Sequence, residues 1–133
     1  MSKDFPTDET KAEIATALSI GKGGIAIIRI SGQNAKSSAQ EILRIPGNQF
    51  WESHKVLYGF AINGEDNSKI DEVLILFMEG PRSFTGEDIV EIHCHGGYIA
   101  VTRVLAELLK SRSVRRALPG EFSQRAVLNG RID

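Results

Sequence analysis

The chain has one cysteine in 133 residues, so no intramolecular disulfide can brace it, and a reducing compartment is its expected setting. Cys94 falls on the apolar side of the strand it is expected to join, which suits a buried, unreactive thiol better than a nucleophile. Long hydrophobic runs are missing as well. No stretch approaches the roughly 20 residues that cross a bilayer, and the opening residues MSKDFPTDETK hold no apolar signal core. A cytoplasmic protein without a membrane partner is the expectation. Strong net charge is also lacking, with 16 Lys and Arg against 17 Asp and Glu. That balance hides an asymmetry. Residues 1–102 carry nine basic and fourteen acidic side chains, whereas residues 103–131 carry seven and two. A basic C-terminal third suits an anionic ligand or an RNA, and equally a solvated helix face.

Several catalytic signatures are absent. Gly21-Lys22-Gly23-Gly24 invites a phosphate-loop reading. It fails, because no glycine stands five residues upstream and Gly23 occupies the place of the required Ser or Thr. No GxSxG nucleophile elbow occurs. His93-x-His95 lacks the downstream Glu of a cupin-type metal set, so no metal site is expected.

The apolar pattern that is present predicts a single domain. Residues 1–10 are polar and read as a frayed start. Glu13–Ile20 alternates weakly as a first strand, and Ile25–Ile30, bounded by glycines, is the clearest buried strand. Asn34 is a good N-cap for a helix ending before Pro46-Gly47, with Ala35, Ala39, Ile42 and Leu43 at helical spacing. His54–Ile62 and Ile70–Met78 read as strands joined by a loop longer than a two-residue hairpin, with His54 a surface histidine. An amphipathic helix with Ile99, Val101, Val104, Leu105, Leu108 and Leu109 follows. After it come a short strand over Val114–Leu118, expected at an edge, and a final helix from Phe122. The order β, β, α, β, β, β, α, β, α predicts an α+β fold: a mixed sheet with helices packed on it in two layers.

The stretch EGPRSFTGEDIVEIHCHGG, residues 79–97, carries the candidate chemistry. Period-two alternation puts Val90, Ile92 and Cys94 on one side and Ile89, Glu91, His93 and His95 on the other. Gly96-Gly97 then lets the backbone and a helix N-terminus approach a ligand. A carboxylate such as Glu91 can accept two adjacent donors from a fused-ring heterocycle such as a pterin. Arg29, inside the buried strand, needs an anion nearby. That anion is either Glu91 or a ligand, and spacing does not choose between them. Arg131 is a further cation for such a set. His93 and His95 line a pocket or are ordinary surface histidines.

GKGGIAIIRISG (21–32), PRSFTGEDIVEIHCHGG (81–97) and LPGEFSQRAVLNGRID (118–133) together resemble the N-terminal domain of the MnmE (TrmE) family of tRNA modification GTPases. The resemblance covers nearly the whole chain. It implies a domain related to the tetrahydrofolate-binding domain of glycine-cleavage aminomethyltransferases, forming a homodimer with folate near the interface. The implied ligand is 5-formyl-tetrahydrofolate or a related reduced folate. It supplies one carbon to a carboxymethylaminomethyl-type modification of the tRNA wobble uridine, made with the flavin-dependent partner MnmG. The family's folate-binding positions fall on Arg29, Glu91 and Arg131, the last a Lys in some relatives. Relatives usually read Thr-Pro-Pro-Gly-Arg-Gly-Gly where this chain has Leu18 to Gly24, a departure from the family's pattern in the loop before the second strand.

On the same resemblance, residues 1–120 form the folate-binding and dimerisation domain, and 121–133 begin a helical domain. The inserted G domain, with its GTP, magnesium and potassium, and a C-terminal cysteine motif are expected outside this chain. The chain by itself is then a binding domain with no catalytic residue of its own. Three other readings remain. One is a stand-alone aminomethyltransferase-like folate protein. Another is a pure dimerisation module in which Arg29 simply pairs with Glu91. The last is an RNA contact through Arg112, Arg115, Arg116 and Arg125.

Overall fold

The computed structural model describes residues 9–15 and 25–122. Among them the order is β1 (Thr10–Ile14), β2 (Ala26–Ser31), α1 (Ala35–Ile42), β3 (Leu43–Arg44), β4 (Lys55–Ile62), β5 (Lys69–Met78), β6 (Ile89–Cys94), α2 (Gly97–Leu108) and β7 (Val114–Arg116). The strands form one sheet in the order β3-β4-β5-β6-β2-β1-β7. Every neighbouring pair is antiparallel except β1 and β7, which run parallel. The sheet is therefore mixed and the domain α+β.

Period-two patterning decides which face is covered. Ile14, Ile28, Ile92, Ile75 and Leu57 stand in one cross-strand row, and Ile28, Ile75 and Ile92 are fully buried. Both helices lie over that row. Ala35, Ala39 and Ile42 of α1 and Val101, Val104, Leu105 and Leu108 of α2 join the same core, each large side chain contributing roughly 1.5–3 kcal/mol on burial. One residue along, on the opposite face, runs the row Glu13, Arg29, Glu91, Leu76 and Val56. Neither helix covers it. Among the described residues, no helix is long and apolar enough to cross a membrane.

The first strand begins earlier than its residues suggest. Thr10 and Lys11 are polar, yet both are buried in β1. Thr10 Oγ1 accepts the Asn34 N–H at 2.8 Å, so a polar side chain from β1 helps hold the start of α1. Asn34 does precede α1, but its side chain makes no capping hydrogen bond. Leu43, expected in the helix, instead opens the two-residue strand β3, which borrows backbone partners from Ala61 and Phe60 of β4. The short strand β7 does lie at the sheet edge, and His54 is exposed beside the start of β4. The far part of the first expected strand, the 18–24 loop and the final helix past residue 122 lie outside the described residues.

Gly32 connects β2 to α1 with φ +139°, and a Cβ there would sit 2.6 Å from Thr10 Cα. Gly32→Ala is therefore predicted to lower stability by about 1–3 kcal/mol or more, from strain and the clash together. Chemical denaturation would show this as a drop in midpoint, and an unchanged midpoint would contradict the close approach.

Candidate functional site

The uncovered face of the sheet has two parts. On one side the loop after β5, residues 79–88, folds back over it. Ser31 Oγ lies 2.7 Å from Thr85 Oγ1 and donates to Glu87 Oε1 at 2.9 Å. Lys11 Nζ reaches the same Glu87 oxygen at 3.3 Å. A buried ammonium is costly unless paired, and Glu87 supplies the opposite charge. Gly80 N–H donates to Asp88 Oδ1 at 2.9 Å, and Ser83 Oγ donates to the Glu87 carbonyl, so the loop also closes on itself. From its tip Phe84 lies against Arg29, with Cζ 5.7 Å from the ring centroid.

The remainder of the face stays open. At its centre Glu91 Oε2 accepts two N–H groups of Arg29, from Nε at 3.0 Å and Nη2 at 2.8 Å. Glu91 Oε1 accepts from His93 Nε2 at 3.1 Å. The Arg29 and Glu91 side chains are 26% and 12% exposed, so the pair is shielded yet reachable. The register explains the meeting, because Arg29 and Glu91 are direct cross-strand partners of β2 and β6. Around the cluster the face is apolar. Ile25, Val56, Tyr58, Leu74 and Phe84 are all exposed. Val56, Leu74, Ile75, Leu76 and His93 line a cavity of about 160 Å³.

Glu13 completes the electrostatics, as the partner of Arg29 on β1. Burial pushes its carboxyl up, while the Arg29 charge pulls it down. Glu91 moves the other way. The His93 hydrogen bond, then those from Arg29, hold it below its ordinary 4.5 against the opposing effect of burial. Arg29 thus sits between two carboxylates of different acidity. The Cys94 thiol, buried on the helix side and near Asp71, is pushed up to about 12 and stays protonated.

Arg29, Glu91 and His93 are therefore brought together, whereas the other candidates are placed differently. His95 follows the end of β6, and its Nδ1 donates to the Glu72 carbonyl of β5 at 3.2 Å. Gly97 begins α2 with Gly96 as its N-cap, but an internal anion already holds the backbone just before the helix. Asp71 Oδ2 accepts the N–H groups of His95 and Gly96 at 2.8 and 3.0 Å. A Cβ on Gly96 would lie 2.6 Å from Ala100 Cβ, so the glycine is needed for internal contact. Arg131 lies outside the described residues. Among the described residues, no three His, Cys, Asp or Glu side chains cluster to hold a metal.

Glu13, Phe84 and the Val56–Leu74–Leu76 wall were not singled out from sequence. The unbroken apolar run VLILFM in β5 is the signal for Leu74 and Leu76. A strand apolar on both faces, beside a sheet face without a helix, points to an apolar surface.

Fold and site define an α+β domain that presents one charged, hydrogen-bonding cluster on an otherwise apolar sheet face. The family described as GTP-binding protein TrmE N-terminus matches residues 12–131, and the chain belongs to that family. It is 65% identical over 125 residues, 94% of its length, to the tRNA modification GTPase MnmE of Synechococcus sp. (strain WH7803), of which it covers 27%. Against the protein of the same name from Prochlorococcus marinus (strain MIT 9303), identity is 58% over all 133 residues, 29% of that relative. The chain spans less than a third of the length of these relatives, and aligns with tRNA modification GTPases over that share only.

The acidity of Glu91 predicts a pH effect. Its folded pKa lies below 4.5, so its stabilising contribution is complete above the unfolded value and is lost as pH falls through the folded one. Glu91→Gln should lower the denaturation midpoint at neutral pH and flatten its decline below about pH 4.5. Parallel acid declines in both proteins would contradict the placement of Glu91.

Proposed function

We propose that this chain is a reduced-folate-binding and dimerising domain of a cytoplasmic tRNA modification GTPase, working with tRNA and the flavoprotein MnmG. The observation that carries the reading is the half-shielded Arg29–Glu91–His93 cluster beside a ring-sized apolar cavity. A pterin edge presents adjacent N–H donors, and a carboxylate with its charge intact is the acceptor suited to them. The cavity of about 160 Å³ falls below the roughly 300–1,000 Å³ of a pocket for a whole drug-sized ligand. It suits the ring alone, leaving the benzoyl-glutamate tail to run over the open face. Arg29 would keep Glu91 ionised and oriented, and Leu74, Leu76 and Val56 would exclude water from the ring. Arg131 is proposed to meet the ligand's polar groups. When bound, the folate supplies the one-carbon unit, and hydrolysis of GTP belongs to a separate G domain of the full-length protein.

A second reading has one observation in its favour. Arg29 and Glu91 satisfy each other directly, as a pure dimerisation module would require, and the exposed apolar residues around them would then be covered by a second copy.

Calorimetric titration with 5-formyl-tetrahydrofolate separates the two. Saturable binding by the wild-type chain, with Glu91→Ala losing roughly 2–5 kcal/mol, is the expected result. A folded, dimeric wild-type chain that ignores folate would leave the pure dimerisation reading.

A further inference from the structure

We propose that His93 is a specificity-determining placeholder: it caps Glu91 Oε1 while the site is empty and is displaced by a ligand that brings two adjacent donors of its own to that carboxylate. The proposal rests on reading Glu91 as the ligand's acceptor.

The lone-pair count of the carboxylate motivates it. A carboxylate offers about four acceptor positions, two on each oxygen. Glu91 Oε2 already takes two N–H groups from Arg29, while Oε1 takes His93 alone. Three positions are then filled and one is left on Oε1, so a ligand edge with two adjacent donors needs both that position and the one His93 holds. The two internal donors differ in strength. Arg29 makes two charge-assisted bonds and lies against Phe84, whereas His93 makes a single longer one. His93 is the partner that yields.

Its position makes yielding easy. Glu91 and His93 are i,i+2 neighbours on one strand face, about 6.5–7 Å apart along the backbone. Their contact depends on two side chains leaning together, so it can break without moving β6. His93 also lines the apolar cavity with Val56, Leu74 and Leu76. It is thus shared between the cavity and the carboxylate. A flat ring that rests in the cavity and donates to Oε1 takes the place of the imidazole edge.

Specificity follows from the exchange. A single ligand donor can take the open Oε1 position and leave His93 in place, whereas an edge with two N–H groups displaces it, so the exchange favours a ligand that supplies both. A ring presenting an acceptor there leaves two acceptors facing each other and is rejected. The ligand class selected is a planar heterocycle with a donor edge.

The test is titration of wild type, His93→Leu and His93→Gln with 5-formyl-tetrahydrofolate. His93→Leu removes the competing donor and keeps an apolar wall, and should bind about five- to tenfold tighter. His93→Gln retains a neutral donor and should stay within about threefold of wild type. Folded His93→Leu binding no tighter than wild type overturns the placeholder, while wild-type binding keeps the folate reading intact. Absence of wild-type binding overturns both. Should His93→Leu fail to fold, the wild-type imidazole nitrogen resonances still decide, with His93→Gln giving the assignment. They shift at saturating folate if His93 leaves Glu91, and unchanged resonances overturn the proposal.

Discussion

A guanidinium placed in the middle of a sheet has to find acceptors, and this requirement shapes the site. Arg29 stands in β2 among isoleucines, where an unpaired charge would cost several kcal/mol. The sheet answers by setting a carboxylate on each side of it in register, Glu13 on β1 and Glu91 on β6. Only Glu91 makes the two direct bonds. Replacing such pairs with well-fitted apolar side chains often leaves stability unchanged or raised. Stability alone therefore does not account for a charged pair at the centre of an apolar face, which is why a binding role is proposed for it.

The loop after β5 joins this pair to the rest of the fold. Its Glu87 neutralises Lys11 and bonds Ser31, while Phe84 lies over Arg29. β1, β2 and the loop are thus joined by one polar network. At the sheet edge Arg115 of β7 pairs with Glu9 and with the buried Glu121. The basic C-terminal third is therefore partly neutralised by its own neighbours, which weakens any reading of Arg115 as an RNA contact.

The polar row of β6 was legible because a strand's period of two places Glu91 and His93 together whatever the fold. Arg29 was legible as a charge in need of a partner. Which partner it found was not, since cross-strand register between β2 and β6 depends on pairing across a gap of about sixty residues. Asp71 shows the same limit. From β5 it occupies the N-terminus of α2, a tertiary cap that no local spacing announces. Thr10 falls in the stretch read as a frayed start and Lys11 just before the first expected strand, because polar composition argues for exposure. Their burial depends on partners at Asn34 and Glu87, far along the chain.

The central claim, that the Arg29–Glu91 pair is a ligand platform and not a structural strut, is tested most directly by thermal unfolding of the Arg29→Met/Glu91→Leu double variant with and without 5-formyl-tetrahydrofolate. The account predicts a ligand-free midpoint at or above wild type and no rise on adding folate, where the wild-type midpoint rises by mass action. A midpoint well below wild type, together with a folate-induced rise equal to that of wild type, would contradict it.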